Sequence, residues 1–106
     1  MVFLYPLLDE LLFEVAKKYK IESDFIVNNH TKSHGFERNL LMYLFALNPR
    51  YSMVEKGRFL GVSGSAISKA SQRFVDKMKT DEHMRKEVEL IRGEIYGEFF
   101  MSNVQI

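Results

Sequence analysis

The side chains best suited to chemistry in this 106-residue chain lie between Arg50 and Lys79. Arg50, Lys56, Arg58, Lys69, Arg73, Lys77 and Lys79 face only Glu55 and Asp76 there, a local excess of five positive charges, although the whole chain carries a formal charge of only +1. Ser65, Ser68 and Gln72 are interleaved with these bases. Guanidinium and ammonium groups bind phosphate oxygens and the guanine edge, and a glutamine amide matches the adenine edge. The chemistry on offer is anion binding and hydrogen-bond readout.

Other constellations are weaker. His30 and His34 are four apart, as metal ligands on a helix often are, but they stand in a polar, aperiodic stretch with Glu37 as the nearest acid. They read as loop histidines that can at most touch phosphate, so no metal is expected. Gly61 to Ser65 imitates a nucleophile elbow but lacks the final glycine and a preceding strand. No phosphate-loop pattern occurs, and Glu87, Glu89, Glu94 and Glu98 read as a solvated helix face. No catalytic residue and no cofactor is assigned, and the chain is not expected to be an enzyme. It contains no cysteine, so disulfides and thiolate zinc sites are impossible, and a reducing cytoplasm is the expected home. The apolar run Met1 to Leu8 has no positive leader and is interrupted by Pro6 and by Asp9 and Glu10. It fits neither a signal peptide nor a membrane span and is expected to join the core.

Length and composition, with 46% hydrophobic and 27% charged residues, bound one globular domain over 1–106, either complete or a piece of a larger protein. The elements that must position the basic segment are helices, since no sustained alternation and no hairpin turn occurs. Leu4, Leu8, Leu11, Leu12, Val15 and Tyr19 recur at three- and four-residue steps and end in Lys17, Lys18 and Lys20, which suits a helix C-terminus. A short turn of helix follows at Ser23 to Val27, then the polar stretch Asn28 to Gly35. Arg38 to Leu47 is an apolar helix with Leu40, Tyr43, Leu44 and Leu47 on one side, stopped by Asn48-Pro49. Thr80 is the expected cap of a last helix with the stripe Met84, Val88, Ile91 and Ile95. Tyr96 should close the core, and Phe99 to Ile106 should fray.

Between these helices, Ser52 and Glu55 form a capping box that starts a helix near Met53, and Gly61 ends it after Leu60. A second helix from Ser65 buries Ile67, Ala70, Phe74, Val75 and Met78 and exposes Ser65, Ser68, Lys69, Gln72, Arg73 and Asp76. Gly57 supplies the small residue where two helices cross. Leu60, Val62, Ile67 and Ala70 supply the apolar fastening of a helix-turn-helix over 52–78. That motif predicts double-stranded DNA as partner. Ser65, Ser68, Lys69, Gln72 and Arg73 are expected to read bases. Arg50, Lys56, Arg58, Lys77 and Lys79 should touch phosphates, with Ser63 and Gly64 small enough to let a phosphate approach the helix N-terminus.

On these residues the chain resembles the C-terminal DNA-binding domain of the bacterial replication initiator DnaA, from about Leu8 to Ile95. Val15-Ala16, Tyr19, Ile21 and Asp24-Phe25 are similar to that domain's first two helices, Arg38 to Leu44 to its arginine-led helix, and Ser52 to Phe74 to its helix-turn-helix. The resemblance implies an all-α bundle of about six helices, DnaA C-terminal or Trp-repressor-like, with Ser65 to Arg73 in the major groove. It further implies minor-groove or backbone contacts from Asn28 to Gly35, which here means Lys32 and, just beyond, Arg38. The family's Asp-His-Thr-Thr signature is replaced by Ser63, Gly64, Ser65 and Ala66, which implies a different DNA target. Similar domains occur at the C-terminus of REP-associated tyrosine transposase-like proteins. The expected role is thus a targeting module of a transposase-like, replication or regulatory protein, with a catalytic domain or protein partner at the C-terminal segment. The alternative is a protein-interaction module that kept the fold without base readout.

Overall fold

Arg38 organises the middle of the fold. In the computed structural model, which describes residues 5–28 and 35–104, with side chains to residue 97, it lies inside the protein on the third of six helices. These are α1 (Leu8–Tyr19), α2 (Ser23–Asn28), α3 (Gly35–Ala46), α4 (Met53–Leu60), α5 (Gly64–Thr80) and α6 (Glu82–Val104). No strand occurs among the described residues. The chain is an all-α bundle, as expected.

Each helix boundary has a local cause. Asp9 and Glu10 in the first turn of α1 and Lys17 and Lys18 in its last complement the helix dipole. Lys20 then takes the left-handed conformation (φ 56°), letting Ile21 N–H reach the Ala16 carbonyl at 3.0 Å. Asn48 is fully buried behind α3: its Nδ2 donates to the Pro6 carbonyl at 2.8 Å and its Oδ1 accepts from Arg50 N–H at 2.9 Å. The residue that halts α3 therefore also fastens the segment before α1. α1 begins at Leu8 rather than Leu4, and Leu4 lies outside the described residues.

The expected single-sided stripe of α3 is corrected. Arg38 and every residue from Leu40 to Phe45 are buried, because α1, α2, α4 and α5 all pack around this helix. Leu47, expected on that stripe, falls past the helix end and is exposed. Each fully buried aliphatic side chain here contributes about 1.5–3 kcal/mol. An aromatic chain continues the packing outward, with Tyr43 and Phe36 flanking Phe74 of α5 at 5.3 and 5.7 Å between ring centroids and Tyr19 of α1 meeting Phe36 at 5.8 Å.

The last helix differs from expectation at both ends. Thr80 belongs to α5 and donates its hydroxyl to the Lys77 carbonyl, while Asp81 caps α6 by accepting Met84 N–H at 3.0 Å. A carboxylate at that position satisfies a free N–H and complements the dipole at once, which a hydroxyl does not. The helix also continues to Val104 instead of fraying from Phe99. Val88, Ile91, Ile95 and Tyr96 are buried as expected, and Tyr96 donates its hydroxyl to the Leu44 carbonyl at 2.6 Å. Tyr19 to Glu87 (2.6 Å) and Lys18 to Glu94 (3.3 Å) tie α6 to α1. No described helix is long and apolar enough to cross a membrane.

Candidate nucleic-acid interface

Helices α4 and α5 carry most of the residues expected to bind nucleic acid, and three residues, Gly61 to Ser63, join them. α4 starts on the capping box read from the sequence: Ser52 Oγ accepts Glu55 N–H at 3.1 Å and Glu55 Oε1 accepts Ser52 N–H at 2.9 Å. The Ser52 backbone N–H, and then its hydroxyl, hold the Glu55 carboxyl below its ordinary value. α4 ends on Gly61 in the left-handed conformation (φ 71°), and Val62 N–H then bonds the Gly57 carbonyl at 2.8 Å.

Gly57 sets how closely the two helices approach. A Cβ there would lie 2.4 Å from the Val62 carbonyl oxygen and within 3 Å of Ser63 and Gly64 backbone atoms. Gly64 at the start of α5 sits against Met53 in the same way, its virtual Cβ 3.1 Å from that residue. Two glycines thus let the start of α5 rest directly on α4. From there α5 turns Ile67, Ala70, Phe74 and Met78 into the core, with Val75 half-buried.

The opposite side of α5 is exposed at Ser65, Ser68, Lys69, Gln72, Arg73 and Asp76, the face expected from periodicity. Ser63 caps the helix by accepting Ala66 N–H at 3.1 Å, and its hydroxyl lies 3.1 Å from that of Ser65. Ser63 itself is exposed and Gly64 partly so. Asp76 is engaged by Gln72 (3.1 Å) and Lys79 (3.7 Å). Among the described residues, no hydrogen bond or ion pair engages the side chains of Lys69, Arg73 or Lys77.

Two cations expected at the DNA backbone are internal instead. Arg38, 9% exposed, donates through Nη1 to the Ile26 (2.8 Å) and Val27 carbonyls at the end of α2 and through Nη2 to the Leu60 carbonyl, 3.5 Å away, at the end of α4. Lys56, 4% exposed, points Nζ at the Ala46 carbonyl, the last of α3 (3.5 Å), and at Met53 Sδ (3.7 Å). Helix C-termini leave carbonyls without partners and carry partial negative charge, which Arg38 satisfies at close range at the end of α2, whereas Lys56 reaches the end of α3 only through a long contact. Burial lowers the pKa of both groups, because the interior disfavours their charged forms. Neither is available to a phosphate.

Of the other expected contacts, Arg58 and Lys77 are exposed, and Arg50 is half-buried with Nη1 donating to the Tyr5 carbonyl at 3.0 Å. Lys32, His30 and His34 lie outside the described residues. Sequence reasoning missed the internal roles of Arg38, Lys56 and Asn48. A signal existed for Arg38, which stands two residues before the unbroken apolar run Leu40 to Phe45 and so is drawn inward with it. Among the described residues, no group of histidines and acids could hold a metal ion. No family model, curated protein or solved structure matches this chain.

Proposed function

We propose that this protein binds double-stranded DNA in a sequence-specific manner, with α4 and α5 acting as a helix-turn-helix and α5 entering the major groove. The observation that carries this reading is the division of α5. One side is anchored by Ile67, Ala70, Phe74 and Met78, and the other presents Ser65, Ser68, Lys69, Gln72 and Arg73 to solvent in one row. Hydrogen-bonding side chains on one face of a helix held from behind suit base-edge readout. Ser63 and Gly64 would admit a phosphate to the N-terminus of α5, and Arg58 and Lys77 would add backbone contacts. The resemblance to the DnaA C-terminal domain supports the same assignment. With Ser63 to Ala66 in place of that family's signature, the target is a different site. The role is that of a nucleoid-associated targeting module of a transposase-like, replication or regulatory protein, with no chemistry of its own.

Binding to random and selected duplexes across a salt series tests this. Affinity should fall steeply with salt, each phosphate contact adding about 0.9 to the logarithmic slope. Gln72→Ala and Arg73→Ala should each relax sequence preference by about 1–3 kcal/mol, whereas Lys77→Ala should weaken all duplexes alike. The withdrawal of Arg38 and Lys56 into the interior favours a second reading, a protein-interaction module. A nearly flat salt slope would select it.

A further inference from the structure

Between the first turn of α3, the second half of α5 and the start of α6 lies a half-open groove of about 650 Å³, within the range of roughly 300–1,000 Å³ usual for small-molecule sites. Its walls are of two kinds. Phe36 and Met84 line it with partly exposed apolar surface over the buried Ala70 and Phe74, and Arg73 and Lys77, one helical turn apart, stand at its α5 side. Neither cation has a side-chain partner among the described residues, and the one acid on the same wall, Asp76, is engaged by Gln72 and Lys79. The groove continues past Phe36, Lys77, Thr80 and Met84 into a second opening whose walls also include Asp81, Glu82, His83 and Glu87. Glu82 there is paired with Arg85 and Lys86 and Glu87 accepts from Tyr19, so among the described residues the cations still open to an anion along the groove are Arg73 and Lys77 on α5.

We propose that this groove binds a small apolar carboxylate, its ring or branched hydrocarbon body against Phe36 and Met84 and its carboxylate on Arg73 and Lys77. The two features select each other. A bare phosphate needs no apolar floor, and a neutral hydrocarbon leaves two cations without partners. Charge-assisted bonds to a carboxylate beside apolar surface, where water competes less, use both. Arg73 borders the groove on one side and the exposed row of α5 on the other. Occupancy would therefore withdraw a base-reading cation, and ligand and duplex would weaken each other reciprocally. That coupling rests on the DNA-binding reading; occupancy of the groove does not.

The probe is 1-naphthoate, titrated into the full chain carrying 13C-labelled methionine methyls. The Met84 methyl signal should shift saturably, while that of Met53, which packs at the other end of α5 against Gly64, should stay in place. The neutral analogue 1-naphthalenemethanol should bind at least about tenfold more weakly, as the loss of one charge-assisted contact implies. Lys77→Gln and the exposed-site variant Thr80→Glu should each weaken naphthoate by a similar factor with the fold unchanged by circular dichroism. Equal binding of the neutral analogue, indifference to both variants, displacement by inorganic phosphate at matching concentration, or no saturable Met84 shift would each overturn the proposal. A saturating duplex should weaken naphthoate severalfold, and unchanged naphthoate affinity on the duplex-bound protein would overturn the coupling. If no duplex binds, the DNA reading fails while the naphthoate titration still decides the groove.

Discussion

Helices α3 and α5 pack against each other more extensively than any other pair, yet they use their basic residues in opposite ways. α3 is enclosed from Leu40 to Phe45, and Arg38 just before that run donates to the carbonyls that end α2 and α4. Lys56 reaches in from α4 to the carbonyl that ends α3. α5 is enclosed on one side only, and Lys69, Arg73 and Lys77 emerge from it without partners among the described residues. In the first region Arg38 is part of the scaffold, because unpaired helix-end carbonyls in a dry interior demand donors. In the second the same kinds of group are left to solvent. The difference between the two is the environment, and residue type alone does not reveal it.

Three substitutions probe that contrast. Arg38→Leu should have the largest effect, about 3 kcal/mol of destabilisation, because it leaves the carbonyls of two helix ends buried without a donor. A urea transition shifted by less than a surface substitution shifts it would break the assignment of Arg38 to the interior. Lys56→Met should act with the opposite sign, raising stability by about 1 kcal/mol, since its ammonium has only two long contacts to set against its desolvation. The sign with pH follows from its lowered pKa. Below the folded value the wild type carries the full cost of a buried charge, and as pH rises toward about 10.4, the unfolded value, that cost disappears. The stability gap between Lys56→Met and wild type should therefore narrow in alkaline solution. Tyr19 and Tyr96, whose pKa values burial raises, contribute equally to both proteins and cancel. A gap that stays constant with pH would show that Lys56 titrates as it does in the unfolded chain. The smallest effect belongs to Lys69→Gln on α5, which should change stability by less than about 0.5 kcal/mol. A larger loss there would sharpen the comparison by placing Lys69 in the scaffold.

Much of the bundle was legible in the sequence. The capping box at Ser52 and Glu55, the end of α4 at Gly61 and the inward stripe Ile67, Ala70, Phe74 and Met78 all rest on interactions within a few residues of one another, which the local sequence encodes. The small side chain required at position 57 was also readable, although only the structure shows that the Val62 carbonyl enforces it. The helix ends that were misplaced depend on competition. Thr80 and Asp81 are both good caps, and the carboxylate prevails through its charge at the start of α6. The buried face of α3 is wider than its periodicity indicates, because periodicity reports one contact surface and four other helices pack on this one.

The candidate interface divides along the same line. Which residues of α5 face solvent follows from helical periodicity alone, since its anchored side is plainly apolar. Which cations belong to that surface does not. Charge summed along the chain treats Lys56 like Lys69, whereas the fold brings Lys56 against the end of α3, 10 residues away in sequence, and Arg38 against the end of α4, 22 residues away. The groove beside Arg73 and Lys77 likewise has no trace in local sequence, because its walls come from α3, α5 and α6. The sequence by itself determined the helices, their faces and the location of the basic segment, because short-range hydrogen bonding and apolar spacing encode them. Only the tertiary structure decided which charges stayed exposed, because burial and helix-end contacts depend on segments distant in the chain.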